Sequence, residues 1–138
     1  MQIEIRKLSD NDFYFISSTI VDQQCALRNY SRCPRRFMKQ GIAERLKKII
    51  ESSEVLVACS SEDANQILSY LIFDRDVLHF AYTKMIYRNF GIMKKLIGDK
   101  KFGIYTFNSE DKIFNDFVKK RRMAFNPWIG VKIENQTA

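Results

Sequence analysis

The stretch from Val77 to Ile97, VLHFAYTKMIYRNFGIMKKLI, constrains the chain more tightly than any other. Val77 to Tyr82 is rich in β-branched and aromatic residues, which suits a half-buried strand. Phe90, Met93, Leu96 and Ile97 recur at helical spacing, with Lys94 and Lys95 on the opposite side. Between the two lies Arg88-Asn89-Phe90-Gly91-Ile92, a short loop with an Arg and a Gly three residues apart. A strand–loop–helix of this kind aims unpaired backbone N–H groups at the loop mouth, where the helix dipole also favours an anion. The spacing predicts a loop built to hold a phosphate.

The rest of the chain is read around that unit. Residues 2–6 alternate as an opening strand, with Ile3 and Ile5 on one face. Ser9 stands three before Asp12, a variant of the capping box. The helix it starts runs to about Leu27 with Phe13, Ile16 and Ile20 as its buried stripe. Arg28 to Arg36 is a basic connection broken by Pro34. A second helix is predicted over 38–52, with Ile42, Leu46, Ile49 and Ile50 inward and Arg45, Lys47 and Lys48 outward. Glu54 to Cys59 and Gln66 to Phe73 read as two strands of a hairpin joined by a polar loop. Asp74-Arg75-Asp76 is a tight turn into Val77.

After the central unit, Phe102 to Phe107 reads as another strand. A helix follows from Ser109, its expected cap, to about Arg121, with Ile113, Phe114, Phe117 and Val118 inward. Phe125 to Ile133 closes the chain as a strand interrupted by Pro127, and so placed at an edge or a bulge. Trp128 beside it is either an exposed interface aromatic or buried against the last helix. The order β-α-α-β-β-β-α-β-α-β predicts an α+β fold, a mixed and mostly antiparallel sheet of six to seven strands with about four helices on both faces.

With 138 residues, the chain is expected to form a single domain, 1–138, with one core. No run approaches the ~20 apolar residues that span a bilayer, and the N-terminus does not read as a signal peptide, so an intracellular, cytoplasmic protein without membrane partners is expected. Cys25, Cys33 and Cys59 include no CxxC pair, and His79 is the single histidine. A disulfide framework or metal site is not expected. The net charge of +7 attracts polyanions: nucleic acid, an acidic partner or an anionic cofactor.

The element order, with YRNFGIMKKLI at its centre, resembles the GNAT-type N-acetyltransferases. In that family an R/Q-x-x-G-x-G/A loop between the fourth strand and third helix cradles the pyrophosphate of acetyl-CoA. Arg88 and Gly91 match the first two positions, and Met93 stands in the third, where the family has a small residue. The resemblance implies acetyl-CoA as cofactor, an amine as acceptor, and Arg88, Asn89, Phe90, Gly91, Ile92 and Met93 at the pyrophosphate. It implies Ala81, Tyr82 and Thr83 at the pantetheine arm and Asn108, which ends the fifth strand, as a further cofactor contact. The chain looks especially like small GNAT-fold proteins of tailed phages, where VLHF-Y-K precedes the loop and a segment such as FNPW closes the chain. Some of those are virion or assembly components, which implies other virion proteins as partners and the host cytoplasm or virion as the location.

Acetyl transfer to an amine needs a bound thioester, a base for the ammonium proton and an acid for the thiolate. A Lys amine has a reference pKa of ~10.4, so a base working near pH 7 is useful, and His suits that role. On a regular strand Val77, His79, Ala81 and Thr83 share a face. His79 is thus either the general base or a packed His bonded to a neighbouring strand. The family's acid is commonly a Tyr in the helix after the fifth strand; here Lys120 takes that place, which leaves Tyr105 and Tyr82 as alternatives. Arg28, Arg32, Arg35, Arg36 and Lys39 form one basic group, and Lys119, Lys120, Arg121 and Arg122 another. Each is read as a docking surface for nucleic acid or an acidic partner, or as a solvated helix end.

Overall fold

The computed structural model of the chain describes residues 2–129. Among them, six strands and four helices follow in the expected order. They are β1 (Ile3–Lys7), α1 (Phe13–Cys25), α2 (Arg35–Ser52), β2 (Glu54–Ser60), β3 (Ile67–Asp74), β4 (Val77–Thr83), α3 (Ile92–Ile97), β5 (Ile104–Tyr105), α4 (Lys112–Lys120) and β6 (Ala124–Phe125). The strands lie side by side in chain order. From β1 to β4 each pair is antiparallel, whereas β4–β5 and β5–β6 are parallel. Helices separate the parallel partners because a parallel connection must carry the chain back along the sheet.

Both sheet faces are covered, which explains why β3 is apolar nearly end to end and not alternating. On one face Ile16, Ile20 and Val21 of α1 and Ile42, Leu46 and Ile49 of α2 pack on Val57, Tyr70, Ile72 and Phe80. On the other, Ile92, Leu96 and Ile97 of α3 pack on Leu68, Leu71, Phe73 and Leu78, with Phe114 and Phe117 of α4 against them. The expected α+β class, strand number and placement of helices on both faces all hold.

The start of α1 follows from its capping signal. The Asp12 carboxylate accepts the Ser9 N–H at 2.7 Å and both terminal nitrogens of Arg6 at 2.6 and 2.9 Å. Burial alone would raise the Asp12 carboxyl, but the Arg6 and Ser9 hydrogen bonds outweigh it and hold it below its ordinary value. The cap opens a single 3-10 turn, Asp10–Asp12, that leads into α1.

Several sequence expectations are corrected. Ile5 is exposed on the edge strand, although Ile3 packs on the core. Arg45 is not on the solvent side of α2: its guanidinium lies 4.3 Å over the Phe107 ring and donates to the Pro127 carbonyl at 2.9 Å. A long aliphatic stem lets an arginine cover apolar surface in this way. Asp111, not Ser109, caps α4, accepting the Ile113 N–H at 3.2 Å. Ile113 itself is 64% exposed. Trp128 is 90% exposed and not buried against α4. The fifth strand shrinks to two residues. The closing strand is also two residues, and the part of it expected over 130–133 lies outside the described residues.

Candidate functional site

A one-residue irregularity in β4 sets the geometry of the site. Phe80 pairs with Ile72 and Leu78 pairs with Phe73, so His79 is an extra residue between them. A bulge of this kind breaks the alternation of side chains and sharpens the local twist. The expected grouping of Val77, His79, Ala81 and Thr83 on one face therefore fails. Leu78 and Ala81 contribute to the core beneath α3, whereas Phe80 and Tyr82 contribute to the core beneath α1 and α2.

At the same place the sheet opens. β4 and β5 pair only at Val77–Ile104 and Leu78–Tyr105, followed by the Thr106 N–H to the Leu78 carbonyl at 3.2 Å. Past that point the C-terminal half of β4 has no described strand partner on that side. A cleft of about 310 Å³ occupies the space between β4, the loop before α3, and α4. Buried Leu78 and Ile97, with Ala81, Phe114 and Phe117, make its inner wall apolar. Thr83, Arg88, Asn89, Lys94 and Asp111 supply polar groups, of which Asn89 and Lys94 are exposed and so mark the solvent side.

The loop before α3 holds a strained course. A 3-10 turn over Met85–Tyr87 follows β4, and then Asn89 (φ 76°) and Gly91 (φ 75°) both take the left-handed conformation. Asn tolerates that region better than most residues, and Gly enters it without steric cost. The helix's first backbone bond runs from the Lys95 N–H to the Gly91 carbonyl at 3.2 Å. The N–H groups of Ile92, Met93 and Lys94 precede that bond and have no partner within so short a helix. Arg88 ties the loop across the cleft: its Nε donates to the Thr83 carbonyl at 3.3 Å, and its Nη1 lies 3.6 Å from the Asp111 carboxylate.

Of the residues singled out from the sequence, Ala81, Tyr82, Thr83, Arg88, Asn89, Gly91, Ile92 and Met93 all line this cleft. Met93 is half-buried against the core beneath α3 and forms part of the cleft wall. Phe90 is not in the helix stripe; it is 62% exposed, with its ring near Tyr87. Tyr105 packs edge-on to Phe114 and tilted against Phe125, outside the cleft.

His79 and Asn108 share a second, much smaller recess of about 10 Å³. His79 is 5% exposed, and its Nδ1 lies 3.0 Å from the Thr106 hydroxyl. Burial pushes the imidazole down to about 4, helped by the Arg45 charge and opposed by Asp74. It is therefore neutral at pH 7. Gln23, Ala81 and Phe114 line both the cleft and this recess, so the two adjoin. Gln23 went unnoticed in the sequence. Its signal was there: Gln23 and Gln24 continue the stripe of Ile16 and Ile20, which places polar side chains on a core-facing path.

No protein-family model matches the sequence, and no curated protein matches it. Solved structures do match in fold. A histone acetyltransferase and related acetyltransferase from Corynebacterium glutamicum superposes with a TM-score of 0.54 at 13% identity, over 87% of this chain and 72% of that one. An aminoglycoside N-acetyltransferase in complex with CoA gives 0.54 at 11% identity, over 99% and 92%. A ribosomal-protein-alanine N-acetyltransferase from Brucella melitensis gives 0.50 at 16%, over 90% and 78%. The chain thus has the GNAT acetyltransferase fold. At these identities the likeness is one of architecture.

Proposed function

We propose that the chain is a GNAT-like N-acetyltransferase that binds acetyl-CoA in the cleft between α3 and α4 and transfers the acetyl group to an amine. The observation that carries this reading is the parting of β4 from β5 immediately after a two-residue parallel ladder. It leaves an opening with an apolar inner wall, strand-edge backbone along Ala81–Thr83, and a polar outer side. An acyl-pantetheine arm that ends in a pyrophosphate has the same sequence of chemistries. The residues present fit the group. Thr83 and its neighbours would hold the arm, and Arg88 to Met93 the pyrophosphate.

Bound acetyl-CoA would supply an activated thioester carbonyl. The chain's own part is to position it and to manage protons. Neutral His79 can accept a proton, though with little driving force. It would receive one through the recess shared with Asn108. The acid is assigned to Tyr82, which lines the cleft, or to water, since Tyr105 lies outside the cleft and α4 carries no Tyr.

Titration calorimetry with CoA is the direct test. Wild-type protein is expected to bind more tightly than about 1 mM, and Gly91→Val about tenfold or more weakly. A β-branched residue forced to φ 75° costs roughly 1–3 kcal/mol and shifts the loop. No heat of binding up to millimolar CoA would sink the proposal.

A second reading has its own support. His79 is closed off from solvent, and a catalytically degenerate GNAT-fold protein serving as a phage virion or assembly component needs no base. Mass spectrometry on amine acceptors incubated with acetyl-CoA separates the two. Acetylated product favours the enzyme, whereas its absence together with cofractionation with virions favours the assembly role.

A further inference from the structure

Among the described residues, three buried side-chain polar atoms lack a hydrogen-bond partner: Arg6 Nε, Gln23 Oε1 and Ser53 Oγ. Of these residues, only Gln23 lines the cleft, and it also lines the His79 recess. Gln23 belongs to the last turns of α1, on the far side of the sheet from α3. It reaches the cleft because the C-terminal end of α1 lies across the sheet opening. Three contacts hold it there. The Gln23 amide nitrogen donates to the Ser109 hydroxyl at 3.4 Å, that of Gln24 donates to the Asn108 carbonyl at 3.0 Å, and the Arg28 N–H donates to the Glu110 carboxylate at 3.0 Å.

The carboxamide of Gln23 is tied by its nitrogen to Ser109, and its oxygen is buried without a donor in a residue that lines both cleft and recess. A buried acceptor without a donor carries an unmet desolvation cost. A ligand whose N–H reaches that oxygen would remove it. We infer that Gln23 is a ligand-positioning residue whose carboxamide oxygen accepts an amide N–H of the pantetheine arm as the arm passes through the sheet opening. This rests on the acetyl-CoA reading above, and it adds a contact from α1 to those made by β4 and the loop before α3. The chemistry selects for an N–H donor on the arm. A purely aliphatic chain of equal length would leave the oxygen unpaired.

The test compares CoA with adenosine 3′,5′-bisphosphate, which shares the nucleotide phosphates and lacks the arm. Gln23→Met keeps length and removes both polar atoms. It is expected to weaken CoA by about three- to tenfold, the worth of one neutral hydrogen bond, and to leave the bisphosphate unchanged. Its unliganded melting temperature should stay close to that of the wild type, because the unpaired oxygen is lost together with only one long hydrogen bond, to Ser109 at 3.4 Å. Ser109→Ala removes the tie and keeps the oxygen, so most of the CoA affinity should remain. Unchanged CoA affinity in Gln23→Met overturns the inference, as does an equal loss for both ligands. So does a loss in Ser109→Ala as large as in Gln23→Met, which would make the side chain a structural tie. If wild-type protein bound no CoA, the proposed function would fail along with it. CoA binding indifferent to Gln23 removes this inference alone.

Discussion

Tyr70→Ala is expected to lower the unfolding free energy by about 3–5 kcal/mol, the usual loss for a large buried aromatic. Tyr70 is fully buried at the centre of β3. Its ring stacks on Tyr82 at 5.2 Å and on Phe80 at 6.1 Å, and Phe15 meets it edge-on. Its hydroxyl lies 2.6 Å from that of Thr19 in α1, and burial raises the phenol far above its ordinary value. Truncation would remove the contacts that join β3, β4 and α1. Because domains of this size are held by about 5–15 kcal/mol in total, the variant would sit close to its unfolding threshold. Tyr70→Phe, which loses only the hydroxyl, should cost about 1 kcal/mol. Urea denaturation followed by far-ultraviolet dichroism reads both. A Tyr70→Ala midpoint close to that of the wild type would contradict the packing described.

Acidification should destabilise the protein through His79. Its folded pKa of about 4 lies below the ordinary imidazole value of 6.5. Between these values the unfolded chain holds a proton that the folded chain does not, so stability falls as pH drops from 6.5 toward 4 and levels off below. The His79 contribution is on the order of 3 kcal/mol, fully present above pH 6.5. Asp12, whose pKa is lowered, adds a loss that sets in as pH falls below its ordinary value. Comparing wild type with His79→Leu at pH 7 and pH 4.5 isolates the imidazole. The wild type should lose much more stability than the variant over that interval. Equal losses would mean that the ring is not held neutral by burial. In an active enzyme, the same shift places the acid limb of the rate profile near pH 4 and leaves no inflection near 6.5.

Much of the architecture was legible in the sequence, because its signals were local. Ile16 and Ile20, and Ile42, Leu46 and Ile49, recur at helical spacing, and both sets are buried as expected. The hairpin of β2 and β3 was marked by a polar loop between two apolar runs. The loop before α3 was marked by Arg88 and Gly91, and Gly91 does take a positive φ. What could not be read were features that depend on distant partners. The bulge at His79 arises from the register between β3 and β4, and no property of VLHFAYT predicts it. Arg45 looked like a solvent-facing residue of α2 until Phe107 and Pro127, more than sixty residues on, came beneath it. Phe102 to Phe107 looked like a six-residue strand, yet pairing stops after two because β4 turns away. Gln23 acquires its place only when α1 meets the segment before α4.

That short parallel ladder has a thermodynamic consequence. From β1 to β4 the strands share long antiparallel registers, whereas β5 joins β4, and β6 joins β5, by two residue pairs each. Local opening should therefore be cheaper in Ile104–Phe125 than in β2–β4, giving the chain two cooperative units of unequal protection. The cleft runs along the seam between them. A ligand seated there touches both, so its binding energy would be expressed as slower amide hydrogen exchange in β5, α4 and β6, well beyond the residues it contacts. Equal protection in the two units, or a ligand effect confined to the loop at Arg88–Met93, would show that they open as one.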